Sequence, residues 1–65
     1  MKTADFVKLM LEYISVYSVK LKDTEQDFRI YFFDGSDFID GYVIQRQNNT
    51  KLINYLKLKT DRKIK

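Results

Sequence analysis

Histidine and cysteine are absent from this chain of 65 residues, which also lacks proline and tryptophan and has only two glycines. The chain therefore has neither the usual general base near neutral pH nor the usual covalent thiol, and it lacks the commonest metal ligands. Ser-His-Asp sites, Cys-His sites and disulfides are excluded. Two glycines are too few for a glycine-rich phosphate-binding loop. The sequence predicts a protein that is not an enzyme and binds no cofactor.

Carboxylates are grouped at Asp34, Asp37 and Asp40, beside the predicted turn. A catalytic acid of raised pKa would need burial, which a hairpin tip in so short a chain hardly provides. Their spacing does not match the calcium loop D-x-[DN]-x-[DN]-G-x5-E, so no metal is expected. We interpret the three residues as an exposed acidic hairpin that can contact another protein.

Long apolar runs are also missing. No run approaches the roughly 18 residues of a membrane span, and Asp5, Lys8 and Glu12 interrupt the N-terminal segment where a signal peptide would be apolar. The lack of cysteine is compatible with a reducing cytosol. We therefore expect a cytoplasmic protein with no membrane contact.

The length predicts a single domain over residues 1–65. A core of this size supplies only about 3–5 kcal/mol of stability without further support. Five phenylalanines and five tyrosines would suit a subunit interface. A homodimer is the expected form of support.

The first third of the chain predicts a helix and then a strand. Thr3 is a plausible N-cap, and Phe6, Met10 and Tyr13 follow on one face of a helix of about three turns. Residues 15–22 are rich in β-branched and aromatic side chains and alternate in polarity, which predicts the first strand.

Two further strands are predicted. Residues 28–33 are apolar on both faces and should form the central strand, with Phe28, Ile30 and Phe32 in the core. A turn of about four residues around Asp34 and Gly35 leads to a third strand over residues 38–45. Within it, Gly41 indicates a bulge or a close backbone approach.

A second helix is expected after a cap at Asn48, Asn49 or Thr50, with a wide apolar stripe. Residues 55–59 also alternate with strand period, so a strand remains an alternative there. From about residue 60 the chain resembles a frayed, basic tail. The predicted fold class is α+β: a three-stranded antiparallel meander flanked by an N-terminal and a C-terminal helix, αβββα.

If both helices cover one face of the sheet, Tyr17, Tyr31 and Phe33 would lie on the opposite, open face. Aromatic side chains give a large contact area at low entropy cost. Such a face can bind a partner protein, join two copies of the chain or stack nucleic-acid bases.

Charge is unevenly distributed. Residues 1–45 contain five basic and eight acidic residues, whereas residues 46–65 contain seven basic residues and one acid. The basic end could contact phosphates, although basic C-terminal turns also complement the helix dipole. The candidate nucleic-acid contacts are Arg46, Lys51, Lys57, Lys59, Arg62 and Lys63.

The order of elements, with the strand YSVKLK and the segment YVIQRQNNTKLINYL running from a strand into a capped helix, resembles small αβββα anti-CRISPR proteins of phages that infect low-GC bacteria. The resemblance implies a non-catalytic inhibitor that occupies a DNA-binding surface of a type II CRISPR nuclease and uses acidic residues to imitate phosphates. Asp34, Asp37 and Asp40, with Asp23, Glu25 and Asp27, would fill that role. The basic C-terminal end departs from it. The leading hypothesis is an interaction protein that inhibits or modulates a host protein, and the alternative is a small nucleic-acid-binding regulator.

Overall fold

A computed structural model describes residues 3–64 of the chain, with side chains from residue 3 to residue 61. The elements in chain order are α1 (Thr3–Val16), β1 (Ser18–Asp23), β2 (Asp27–Asp34), β3 (Asp37–Gln45) and α2 (Thr50–Ile64). The strands form one antiparallel sheet in the order β1-β2-β3. The predicted α+β fold with αβββα order is confirmed.

The core lies between the sheet and the two helices. Phe28, Ile30 and Phe32 of β2 are fully buried, as the sequence predicts. They pack with Met10 and Ile14 of α1 and with Ile53 and Leu56 of α2. Successive residues of a strand point to opposite faces, so both helices cover the same face of the sheet. We call that side the helix side and the other the open face.

Helix α1 is longer than predicted. It continues to Val16, and β1 begins only at Ser18, whereas the sequence suggests a strand from about residue 15. Ile14 is buried beside Met10, four residues earlier and therefore on the same face of the helix. Packing of Ile14 into the core outweighs the modest strand preference of β-branched residues.

Residues 55–59 are helical, which resolves the alternative in favour of α2. In a strand Leu56 and Leu58 would share a face, but here Leu56 is fully buried and Leu58 is 71% exposed. The expected tail from about residue 60 does not begin there. Thr60 is fully buried, and its hydroxyl donates to the Leu56 carbonyl at 2.9 Å.

The β2–β3 hairpin is tighter than predicted. Asp34 pairs with Asp37, so only Gly35 and Ser36 form the loop. Gly35 has a φ of 63°, and Ser36 does not share the positive φ, which matches a type II′ turn. The register shifts after the Phe33–Phe38 pair, leaving Ile39 as a bulge residue.

One corner of the fold is held by side chains. The Asp23 carboxylate at the end of β1 pairs with both Arg46, which follows β3, and Lys57 of α2. The Arg46 guanidinium also donates to the Thr24 carbonyl at 2.9 and 3.2 Å. Nearby, Asn49 occupies the N-cap of α2, since its carbonyl accepts from the Ile53 amide at 2.9 Å.

Candidate functional site: the open face of the sheet

Three aromatic rings form a cluster on the open face. Tyr31 and Phe33 alternate with the buried residues of β2. Phe38, on β3, is the cross-strand partner of Phe33. The rings of Phe33 and Phe38 meet edge to face with centroids 5.7 Å apart, and those of Tyr31 and Phe38 lie 6.5 Å apart. We call Tyr31, Phe33 and Phe38 the aromatic cluster.

The cluster is open to solvent. Phe38 is 59% exposed, and Val43, further along β3 on the same face, is 55% exposed. Ile39, the bulge residue that follows Phe38 in the chain, is 40% exposed. Exposed apolar side chains that adjoin one another, rather than lying singly, are typical of a contact surface.

Gly41 leaves room for one ring of the aromatic cluster, that of Tyr31. It is the cross-strand partner of Tyr31, and the Tyr31 ring lies against its backbone. A Cβ at this position would be 2.8 Å from Cδ1 of Tyr31, closer than side chains approach. The sequence predicted a bulge or a close backbone approach at Gly41; the structure shows a side-chain ring packed against its backbone, and the bulge residue is Ile39, two positions earlier.

Cationic side chains flank the aromatic cluster on the β1 side. Lys20 and Lys22 are exposed on the open face, and they pair across the sheet with Tyr31 and Arg29 respectively. The ammonium group of Lys20 lies 5.4 Å from the centre of the Phe33 ring, within cation–π range.

Arg29 is tied to an acid on its own strand. Its guanidinium donates to the carboxylate of Asp27, with an Nε to Oδ1 distance of 3.2 Å. The Thr24 hydroxyl donates to the same carboxylate at 2.9 Å. These two hydrogen bonds, the bond from Arg29 first, hold the pKa of Asp27 below its ordinary value.

The three acids of the predicted acidic hairpin lie on the side of the sheet opposite to the aromatic cluster. Asp34 follows Phe33 on β2, and Asp37 pairs with Asp34, so both lie on the helix side beyond the core. Asp40 pairs with Phe32 and lies on that side too. The structure therefore separates these acids from Tyr31 and Phe33, with which the sequence grouped them as one protein-binding set.

The Asp40 carboxylate is engaged in hydrogen bonds within the fold. Its carboxylate accepts from the Gly41 amide and from the Tyr42 hydroxyl, both at 2.8 Å. The hydrogen bond to Asp40, and then burial, raise the pKa of Tyr42 above its ordinary value. Asp34 and Asp37 are exposed and form no ion pair within the described part of the chain.

The prediction that Tyr17 lies on the open face is wrong. Tyr17 precedes β1 and shares the helix side with Val19, where it packs against the core. Its ring meets that of Tyr13 edge to face at 5.6 Å. Because α1 runs to Val16, Tyr17 follows Tyr13 by one helical turn and joins the same apolar surface.

Sequence reasoning missed Phe38 and Val43 as parts of this face. The alternation of side chains along a strand is enough to place Val43 on the same face as Gly41, and Ile44 on the other face. Phe38 could not be placed in that way, because the bulge at Ile39 reverses the alternation between Phe38 and Asp40.

The basic end is not one continuous cationic surface. Arg46 and Lys57 are both paired with Asp23, and Lys59 lies 5.4 Å from the centre of the Tyr55 ring. Lys51 is exposed. The side chains of Arg62 and Lys63 lie outside the described residues.

The acids of the β1–β2 turn are also largely engaged. Asp23 carries the two cations of the corner, and Asp27 accepts from Thr24 and Arg29, which leaves Glu25 exposed. A phosphate mimic needs several carboxylates available on one surface. The turn does not provide them.

Among the described residues, no group of three or more acidic side chains is placed to hold a metal ion. None of the helices described is long and apolar enough to cross a membrane. Comparison with known proteins finds no matching family model, no matching curated protein and no matching solved structure.

Proposed function

We propose that this chain is a non-enzymatic interaction protein that binds a larger host protein through the open face of its sheet and thereby inhibits or modulates it. The observation that carries the proposal is the exposed apolar surface of the open face, which contains the aromatic cluster and Val43. Two helices cover one side of the sheet, and among the described residues no element covers the other.

The composition of the face favours a protein over a nucleic acid. Protein interfaces have an apolar, aromatic centre and a charged rim. Here the rings of Tyr31 and Phe33 lie on the central strand β2, Phe38 and Val43 lie beside them on the edge strand β3, and Lys20 and Lys22 lie on the opposite edge strand β1. Aliphatic side chains such as Val43 give bases no stacking surface, and two lysines, which form no ion pair within the described residues, would neutralise few phosphates.

The identity of the partner is proposed from the order of elements. That order resembles small anti-CRISPR proteins, which makes a type II CRISPR nuclease the first host protein to test, with the protein acting in the host cytoplasm. The positions of the acids support contact through the aromatic cluster rather than phosphate imitation, because Asp23, Asp27 and Asp40 are engaged within the fold.

The experiment is a comparison of two surface variants as baits for host proteins. Phe38→Asp places a charge within the aromatic cluster of the open face. Leu58→Asp is the matched control, because Leu58 is an even more exposed apolar residue on α2. We expect one host protein to be retained by the wild type and by Leu58→Asp, and to be lost with Phe38→Asp. Purified CRISPR nuclease is assayed for DNA cleavage with the same three proteins.

If every retained protein is insensitive to Phe38→Asp, the open face is not the contact surface and the proposal fails. The expected homodimer is part of the same proposal. Light scattering of the wild type and of Phe38→Asp checks it, since a dimer that uses this face should dissociate in the variant. A monomeric mass for the wild type would contradict the dimer without affecting the host partner.

Nucleic-acid binding by the basic end is the second candidate function. Lys51, Tyr55 and Lys59 lie four residues apart on one exposed face of α2, which is the observation in its favour. Pairing of Arg46 and Lys57 with Asp23 weakens it. Joint replacement of Lys51 and Lys59 by Ala should weaken binding and its salt dependence; no gel shift at about 50 mM salt would exclude this function.

A further inference from the structure

The register of the sheet separates the strand charges by sign. Lys20, Lys22 and Arg29 lie on the open face, with Asp27 as the one acid on that face among the strands. The four remaining strand acids all lie on the helix side: Asp23, Asp34, Asp37 and Asp40. The open face thus carries an excess of positive charge, although residues 1–45 are acidic as a whole.

The positive charge is available to a partner at two positions. Arg29 is engaged by Asp27. Lys20 and Lys22 are exposed and form no ion pair within the described part of the chain. They project from the same side of an edge strand, next to the aromatic cluster, so a ligand that covers the rings also meets both ammonium groups.

We infer that the open face binds an acidic segment of its partner protein, one in which carboxylates alternate with apolar or aromatic side chains. The apolar side chains pack on Phe38, Phe33 and Val43, and the carboxylates pair with Lys20 and Lys22. This inference rests on the proposed function, because it specifies the chemistry of the partner that the open face binds.

Two features favour an acidic protein segment over a nucleic acid. Lys20 lies over the Phe33 ring and so covers one of the surfaces on which a base would stack. Beyond Phe38 along β3 the open face presents Gly41 and then the exposed aliphatic side chain of Val43, neither of which offers a ring on which a second base could stack. Leucine, valine or aromatic side chains of a peptide pack against both kinds of surface.

The test uses two soluble probes on the full chain: a random copolymer of glutamate and tyrosine, and an oligothymidylate of about 20 nucleotides, which offers phosphates and bases. Two-dimensional amide NMR spectra report which residues each probe perturbs. We expect the copolymer to shift amides of β1, β2 and β3 around Lys20, Tyr31 and Phe38. The oligothymidylate should neither shift them nor displace the copolymer.

A matched pair of charge variants locates the cationic contribution. Joint replacement of Lys20 and Lys22 by Glu should weaken copolymer binding about tenfold or more, since two exposed ion pairs are lost and reversed. Joint replacement of Lys51 and Lys59 by Glu makes the same change in net charge on α2 and should leave binding nearly unchanged. All four lysines are exposed. An amide spectrum that resembles that of the wild type shows that each variant is folded.

Three results would overturn the inference: no shift with the copolymer, equal weakening by the two pairs of variants, or tighter binding of oligothymidylate to the same residues. The last would identify the face as a nucleic-acid surface. If binding of the host partner depends on Phe38 but not on Lys20 and Lys22, the inference is refuted and the proposed function stands. If copolymer binding depends on the two lysines but no host protein binds in a Phe38-dependent way, the inference stands and the proposed function is refuted.

Discussion

The ring of Tyr31 lies against the backbone of Gly41, its cross-strand partner, so closely that a Cβ at residue 41 would be 2.8 Å from Cδ1 of the ring. Gly41 has no positive φ, so its backbone conformation does not require glycine. The requirement comes from the aromatic ring. This contact makes the position of the Tyr31 ring depend on one residue of β3.

Replacement of Gly41 by Ala should therefore lower the free energy of unfolding by about 1 kcal/mol, because the Tyr31 ring must move away from the new methyl group. Urea denaturation measures the change. In a Tyr31→Ala background the same replacement should be neutral or stabilising, since a strand alanine loses less chain entropy than glycine. Equal losses in both backgrounds would show that the ring is not the obstacle.

The corner at Asp23 should contribute measurable stability. Asp23→Ala removes the carboxylate shared by Arg46 and Lys57 and should cost about 1 kcal/mol, a modest value because all three side chains are partly exposed. Glu25→Ala, two residues away on the same turn, is the control and should be nearly neutral. The difference between the two variants should shrink in high salt. A loss that salt leaves unchanged would indicate a packing effect instead.

Tyr42 should control part of the alkaline stability. Its pKa is raised in the folded state, so the folded protein holds the phenolic proton that the unfolded chain releases near pH 10. The stability present below that pH is lost as the pH rises above it. Ultraviolet titration of tyrosinate should show one tyrosine that ionises later than the rest, and that step should be absent in Tyr42→Phe. Retention of the late step in Tyr42→Phe would assign it to another residue.

Thr60 provides a test of where packing ends along α2. It is fully buried and its hydroxyl is bonded to the Leu56 and Lys57 carbonyls. Thr60→Glu should cost about 3 kcal/mol because it buries an unpaired charge. Lys59→Glu, the exposed neighbour, should cost well under about 1 kcal/mol. The thermal unfolding midpoints of the two variants give the comparison. Similar midpoints would mean that the end of α2 is not packed against the core at Thr60.

The element order could be predicted from the sequence because each strand of the meander has its own periodic pattern and each turn its own polar residues. Phe28, Ile30 and Phe32 were identified as core for that reason. The end of α1 could not be placed, since Ile14 and Val16 are β-branched and the helix there is favoured by the burial of Ile14 in the core, which the sequence does not show.

The candidate site was predictable only in part. Tyr31 and Phe33 follow from alternation with the core residues of β2. Phe38 depends on a bulge, and bulges have no clear signal in a single sequence. The pairing of Arg46 and Lys57 with Asp23 joins residues far apart in the chain, so charge counting overestimated the free cations of the basic end.

The Asp23 corner also has a consequence for the folding pathway. Its contacts span 22 residues from Thr24 to Arg46 and 34 from Asp23 to Lys57, whereas the β2–β3 hairpin closes over two residues. Loops of that length close later than hairpins, because more chain entropy must be lost before the contact forms. The corner should thus form after the folding transition state, as the last part of the molecule to close and the first to open. In kinetic experiments Asp23→Ala should then speed unfolding and leave the folding rate almost unchanged; a slower folding limb would place the corner in the folding nucleus.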